Sequence, residues 1–371
     1  MYLGLCLSDP HPDRASDGSM KRTVSAARFG GRYRLIDFML SNMVNSGIYD
    51  IGMVLNSHYQ SLIGHIGTGK EWDLARKSGG VTFFPPYLAD ERQSVNSEID
   101  GPLYRAVERL GNNRAEYLVL ADSSVVYNMD YRRAIAAHHE SGADVTAIYA
   151  RKPVDADARE STVVFDLTDA GFVRAISSAQ NIDSAQNVSL GAYILPKQLF
   201  MQLVSNERNC GMLRFSRELL AGALKRLRVR AYLFEGYSAQ VSSVETYFRH
   251  NMEMLDIESR RSLFNVEGRQ ILTSRRDSLP TKYGKSASVT NSLIADGCQI
   301  EGSVTNSVIC RGVRIRPGAM VTNCIIHGGV VVEKGAVTGS LILDRKVIVS
   351  EGRRLLGSPN YPVYISPGRV V

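Results

Sequence analysis

Between residues 294 and 348 large aliphatic side chains return at every sixth position. Ile294 and Ile300 are six apart, as are Ile309, Ile315 and Val321, then Ile326 and Val332, then Ile342 and Ile348. Gly297, Gly302, Gly312, Gly318 and Gly329 fall among them. A six-residue aliphatic period with glycines at the turns marks a parallel β-helix, in which each aliphatic points into a narrow prism and each coil stacks on the last. The spacing predicts a left-handed parallel β-helix over residues 288–371. Such prisms expose ends and faces that assemble into oligomers.

The chain before this repeat follows a different grammar. "IGMVL" (51–55), "YLVLA" (117–121), "VTAIYA" (145–150), "LGAYIL" (190–195) and "VRAYLF" (229–234) are short runs apolar on both faces, the pattern of parallel strands covered by helices. Amphipathic stretches alternate with them: "LIDFMLSNMVNSGI", "YRRAIAAHHESG" with a stop at Gly142, and "SVETYFRHNMEMLD". The alternation predicts a Rossmann-like α/β domain over residues 1–260, with ligands at the carboxyl ends of its strands, and a linker at 261–287. A length of 371 residues suits two such domains.

Composition excludes several function classes. The opening "MYLGLCLSDP" is too short and lacks the basic lead of a signal peptide, and no run approaches about 18 apolar residues. A cytoplasmic protein without membrane contact is expected. Five cysteines (Cys6, Cys210, Cys298, Cys310, Cys324) are scattered with no CxxC pair, so they read as small buried residues rather than zinc ligands or disulfides. The net charge of +7 is carried by dispersed pairs such as Arg132-Arg133 and Arg353-Arg354, and no nucleic-acid-binding spacing accompanies it. Many hexapeptide prisms are acyltransferases that use a histidine. His327 in "CIIHGGV" is the candidate within this repeat; on a turn, with no obvious carboxylate nearby, it is expected to be solvated.

The strand "YLVLA" delivers Asp122-Ser123-Ser124 to the sheet edge, where a phosphate-transferring enzyme would need carboxylates for its metal. Gly64 to Lys70 nearly spells a P-loop, but Glu71 replaces the metal-binding Ser or Thr and the run follows a helical pattern, so a helix end and loop is expected there.

"FGGRYRLIDFMLSNMVNSGI" (29–48) and "HYQSLIGHIGTGKEWDLARKSGGV" (58–81) resemble the ADP-glucose pyrophosphorylases, the glucose-1-phosphate adenylyltransferases of bacterial glycogen synthesis. "VLADSSVVYNMDY", "SLGAYIL", "VSSVETYFRHNMEMLD" and "NSLIADGCQIEGSVTNSVICRGVRI" extend the likeness over nearly the whole chain. The wording of "MVNSG", "GTGKEWDLARK" and "NMEML" is similar to the GlgD-type subunit rather than the catalytic GlgC-type subunit.

The resemblance implies a set of catalytic positions, and the chain departs from each. The glycine-rich phosphate loop after the first strand is here "SDPHPDRASDGSM", with one glycine, two prolines and three aspartates. Val24 stands at the lysine that would face the leaving pyrophosphate. Ser124 stands at the metal-binding aspartate, with Asp122 two residues away as a conceivable substitute. Gln240 stands at the second metal aspartate, and Ser178-Ala179 replace the sugar-phosphate lysine, which falls at Ala179. Losing both metal carboxylates removes several kcal/mol of transition-state stabilisation. The resemblance therefore implies no catalytic residue and no metal in this chain, with Mg2+ required by a catalytic partner. It also implies a vestigial substrate cleft at Gly101, Asp122, Ser124 and Gly191. The rival reading is an active adenylyltransferase whose metal is held by Asp122 and Asp37.

A basic cluster remains in "KRTVSAARFGGRYR". By resemblance, Lys21, Arg22, Arg28 and Arg34 match an effector segment that takes sugar phosphates, with Arg32 beside them and Arg311 and Arg314 expected to complete it from the prism. The expected partners are a GlgC-type subunit in a heterotetramer and a small sugar-phosphate effector.

Overall fold

The computed structural model describes residues 1–7, 23–55, 58–85, 102–154, 156–179, 184–205, 214–275, 277–359 and 361–371. The first domain is built on a mixed sheet in which β1 (Tyr2–Leu7) lies between β4 (Asp50–Val54) and β6 (Tyr117–Ala121), parallel to both. Beyond β4 lies β5 (Gly80–Phe84), and beyond β6 lies β11 (Gln186–Pro196), which pairs with β8 (Val145–Lys152) and β9 (Val163–Leu167). β10 (Val173–Ser178) and β12 (Val229–Leu233) flank these.

Period two sorts the central strands onto two cores. Cys6, Val119 and Ala121 face a cluster with Ile36, Met39 and Met43 of α1 (Leu35–Asn45), whereas Leu3, Leu5, Leu118 and Leu120 face one with Leu103 of α3 (Pro102–Gly111) and Phe200 of α5 (Lys197–Val204). A layer of helices on each face makes both sides of these strands apolar. That same pattern concealed a direction. β11, which contains "LGAYIL", was expected to be parallel and runs antiparallel to β6, β8 and β9. Burial on both faces follows from the layers of helices, not from strand polarity, so the sequence does not carry it.

α4 (Tyr131–Ser141) begins at Asp130, whose side chain accepts from Arg132 N, and ends at Gly142 with φ +58°, as its stop signal predicts. α2 (Gln60–Ile66) ends at Gly67, and Lys70 opens a 3-10 turn, so the P-loop-like run is a helix end and loop.

The second domain is a parallel β-helix with three five-stranded faces. The inward stack Ile300, Ile315, Val332, Val349 and the stack Ile294, Ile309, Ile326, Leu343 show coils of 15 and then 17 residues. The first strand of one face, Lys282–Tyr283, lies within the segment read as linker. One hexad was misphased. Leu343 and Val349, not Ile342 and Ile348, point inward: Ile342 packs outward against the α/β domain and Ile348 is 38% exposed. A 17-residue coil is one short of three sixes, so a strict six-count slips by one residue, and a one-residue slip turns a strand side chain to the other face. Cys6, Cys298, Cys310 and Cys324 are buried and none is in a disulfide among the described residues; Cys210 lies outside the described residues.

The face carrying Val308, Ile325 and Ile342 is buried against Phe29, Leu35, Phe38, Tyr247 and Phe248 of the first domain. Tyr247 and Phe248 sit on the helix Val244–Glu253, whose N-cap Ser243 accepts from Thr246 N. This helix thus joins the prism to the sheet's carboxyl edge.

Candidate functional site

The cleft forms where β6 ends. Asp122 is 4% exposed, and its backbone N–H donates to Gly191 O at 2.9 Å. Gly191 has φ +62° at an irregularity in β11, which places its carbonyl against Asp122. Asp122 Oδ1 accepts from Ser124 N at 2.8 Å, so this carboxylate closes its own turn. Ser123 Oγ and Ser25 Oγ are 2.6 Å apart, and Ser25 follows Val24 in a 3-10 turn (Val24–Ala26).

The strand end turns into β7 (Val125–Tyr127), which pairs antiparallel with β13 (Ser238–Gln240), placing Gln240 opposite Val125. Ser124 O accepts from Val241 N at 3.0 Å. Gln240 Oε1 accepts from Thr162 Oγ1 at 3.4 Å, and Thr162 O accepts from Ala179 N at 3.1 Å. The structure therefore brings Ser124, Gln240 and Ala179 into one neighbourhood, with Val24 joined through Ser25. Gly101 and the segment 8–22, including Lys21 and Arg22, lie outside the described residues.

A magnesium ion takes several oxygen ligands and is commonly anchored by carboxylates. Here one carboxylate is turned onto a backbone amide, and beside it stand the hydroxyl of Ser124 and the amide of Gln240. Ser124 Oγ is buried without a hydrogen-bond partner among the described residues. These groups do not fit a divalent ion. Asp37 cannot complete the set: it is fully buried, with Oδ1 2.6 Å from His65 Nε2 and Oδ2 accepting from Arg34 N at 2.9 Å.

A second site lies where the hairpin of β2 (Arg28–Phe29) and β3 (Tyr33–Arg34) meets the prism. Gly31, at φ +77°, lies so close to the prism that a Cβ there would be 3.3 Å from Ile309 O. A Cβ on Gly328 would stand 2.8 Å from Arg311 O, so only glycine fits against that carbonyl, and Arg28 Nη2 lies 3.9 Å from the same point. Arg28 Nε is buried with no partner among the described residues. Arg311 Nε donates to Asp296 Oδ1 at 2.9 Å; burial alone would raise the Asp296 carboxyl, and the guanidinium outweighs it, holding the carboxyl below its usual range. Burial raises the Tyr33 hydroxyl, opposed by the nearby cations Arg32 and Arg311. Arg28 Nη2 and the Arg311 backbone thus meet at Gly328, with Arg32 and Arg311 near Tyr33.

Two of the arginines expected with them do not. Arg34 is 8% exposed, and its Nη1 donates to Ser61 O at 2.7 Å and Ser61 Oγ at 3.1 Å, which turns it into the α/β domain. Arg28 and Arg34 are cross-strand partners, which would point to the same side, yet the Arg34 guanidinium turns to the Ser61 carbonyl and hydroxyl. Arg314 is exposed on the prism face of Gln299 and Val331, a different face from that packed on the first domain. Arg311 rather than Arg314 is at the corner because it lies on the turn between the two faces.

His327 departs furthest from expectation. It is 3% exposed, its Nδ1 lies 2.9 Å from Asp344 Oδ1 and its Nε2 lies 2.9 Å from Tyr247 OH. Asp344 is 17 residues on, one coil up the prism, and the coil period is the signal that could have found it.

Residues 19–256 match the family model described as nucleotidyl transferase, and residues 279–358 match the GlmU-like, C-terminal hexapeptide model. The glucose-1-phosphate adenylyltransferase of Thermosipho africanus is 33% identical over 306 residues, covering 80% of this chain and 72% of the relative. That of Clostridium botulinum (strain Eklund 17B / Type B) is 32% identical, covering 81% and 78%. The glycogen biosynthesis protein GlgD of Bacillus subtilis is 31% identical over 317 residues, covering 85% and 81%. With its fold, its strand-end cleft and these relatives together, the chain belongs to the nucleotidyl transferases, in the group of glucose-1-phosphate adenylyltransferases and their GlgD homologue.

Proposed function

We propose that this chain is a GlgD-type regulatory subunit in glycogen biosynthesis, with negligible adenylyltransferase activity of its own, that assembles with a catalytic GlgC-type subunit and modulates it. The observation that carries this reading is the junction of β7 with β13, where Gln240 stands opposite Val125 and Ser124 O accepts from Val241 N, so that a hydroxyl and an amide occupy adjacent positions where two carboxylates would be needed to seat a metal. Val24 and Ala179 support it, since neither supplies charge to pyrophosphate or to a sugar phosphate. Substrate-shaped architecture without metal ligands suits a subunit that acts on its partner's equilibrium. Coupling of this kind typically amounts to about 1–3 kcal/mol.

The arginine corner would receive the effector. Guanidinium groups from two domains, Arg28 with Arg32 and Arg311, suit the oxygens of a sugar phosphate, with the amide-rich Gly328-Gly329 turn alongside. No described helix is long and apolar enough to cross a membrane.

The test is a mixing experiment. Alone, the chain should convert ATP and glucose 1-phosphate negligibly with Mg2+ present, whereas adding it to a catalytic subunit should alter turnover or effector response. Substantial magnesium-dependent turnover by the isolated chain would refute the reading. For the corner, Arg28→Ala should weaken sugar-phosphate regulation of the mixed complex by about tenfold, while Arg314→Ala leaves it within about twofold. Equal effects of the two changes would remove the corner from consideration.

A further inference from the structure

A buried chain of polar groups crosses the boundary between the domains. Tyr247 of the helix Val244–Glu253 is fully buried with its hydroxyl 2.9 Å from His327 Nε2. His327 Nδ1 lies 2.9 Å from Asp344 Oδ1, which also accepts from Arg345 N at 2.6 Å, while Asp344 Oδ2 accepts from Tyr364 OH at 2.5 Å. A carboxylate only accepts, so Nδ1 carries the proton between them, and a neutral ring then accepts the Tyr247 hydroxyl at Nε2. The surrounding contacts are apolar: Val308, Ile325 and Ile342 against Phe29, Phe38 and Phe248. Apolar contacts are non-directional and tolerate sliding, whereas a hydrogen-bonded chain fixes one arrangement.

Two members of this chain, His327 and Tyr247, lead to the two sites. His327 immediately precedes Gly328, the glycine held beneath Arg311 O and beside Arg28 Nη2. The helix bearing Tyr247 begins four residues after Gln240, through the Ser243 cap, and its Asn251 Oδ1 accepts from Gly30 N at 3.0 Å in the turn that separates Arg28 from Arg32. One rigid helix therefore touches the arginine corner twice, through Asn251 and through Tyr247 to His327, and its amino end abuts the strand-end cleft.

We infer that Tyr247, His327 and Asp344 are positioning residues that couple the arginine corner to the cleft, so that an anion of the sugar-phosphate class bound at Arg28 and Arg311 changes the placement of the helix Val244–Glu253 and of Gln240. The inference rests on the corner being an anion site, and adds which residues carry its effect. An anion that draws Arg28 and the Gly328 backbone together moves His327 with them, and the ring is hydrogen-bonded to the helix. The helix is the element whose position both sites bias, which coupling requires.

Hydrogen exchange of the whole chain, with fructose 1,6-bisphosphate as the probe and calorimetry for its affinity, tests this. In the unmodified chain the bisphosphate should slow exchange over residues 239–253 by about fivefold. Tyr247→Phe deletes one hydroxyl and should leave bisphosphate affinity within about twofold while abolishing the slowing over 239–253. Asp344→Asn, which keeps the side-chain shape, should do the same and serves if the phenylalanine variant is poorly folded. Bisphosphate binding with full slowing retained in both variants would overturn the coupling and spare the anion site. Absence of bisphosphate binding in the unmodified chain would overturn the anion site and the coupling with it.

Discussion

The strand-end cleft lies at the amino end of the helix Val244–Glu253 and the arginine corner along its length, and the two are built from opposite chemistry. In the cleft the polar groups are neutral or turned inward: Ser124, Gln240, the Ser25–Ser123 pair, and Asp122 closed onto the Ser124 amide. At the corner, Arg28, Arg32 and Arg311 bring positive charge from two domains against a turn where only glycine fits. The same scaffold positions both, with backbone pairing holding each residue in place. What differs is whether the side chains at those positions match a charged ligand. A fold can keep the geometry of a site while its chemistry moves elsewhere, and function must be read from the residues at the site.

The comparison can be broken most severely at the boundary the two sites share. Ile325→Asp places a charge in the interface against Phe29 and Phe38 and should cost about 4 kcal/mol in chemical denaturation, with both domains losing cooperativity. Separate transitions with the first unshifted would mean that the corner is not held by domain packing. A smaller pair of changes checks the coil phase on which Asp344 and His327 are stacked. Val349→Ser should cost about 2–3 kcal/mol, against under about 0.5 kcal/mol for Ile348→Ser. Similar losses would put the stacking register in error. The smallest expected effect sharpens the cleft itself: Ser124→Asp with Gln240→Asp should tighten Mn2+ binding by about tenfold, or about 1.4 kcal/mol. Unchanged metal affinity would show that those two positions do not face a common ion.

Much of this was legible along the chain. The aliphatic spacing from Ile294 to Val332 specified the prism, because inward-facing side chains in stacked coils must recur with the coil. The strand "YLVLA" delivering Asp122 to the sheet edge specified the strand end, and the register of β7 with β13 sets Gln240 opposite Val125, one residue beyond Ser124. Other features were not legible. The direction of β11 left no trace, since both polarities bury the same residues. Arg34 and Arg28 look alike as letters, yet one satisfies Ser61 and the other faces Gly328.

By itself, the sequence determined which kinds of element form and which side chains are available, through hydrophobic period, turn residues and the loss of carboxylates at particular positions. Only the tertiary structure decided which distant residues became neighbours. His327 looked isolated on a turn and is instead enclosed by Asp344, one coil away, and Tyr247, eighty residues away, because coil stacking and domain packing close distances that chain separation leaves open. Burial makes an unpaired polar group costly, so those neighbours had to be partners.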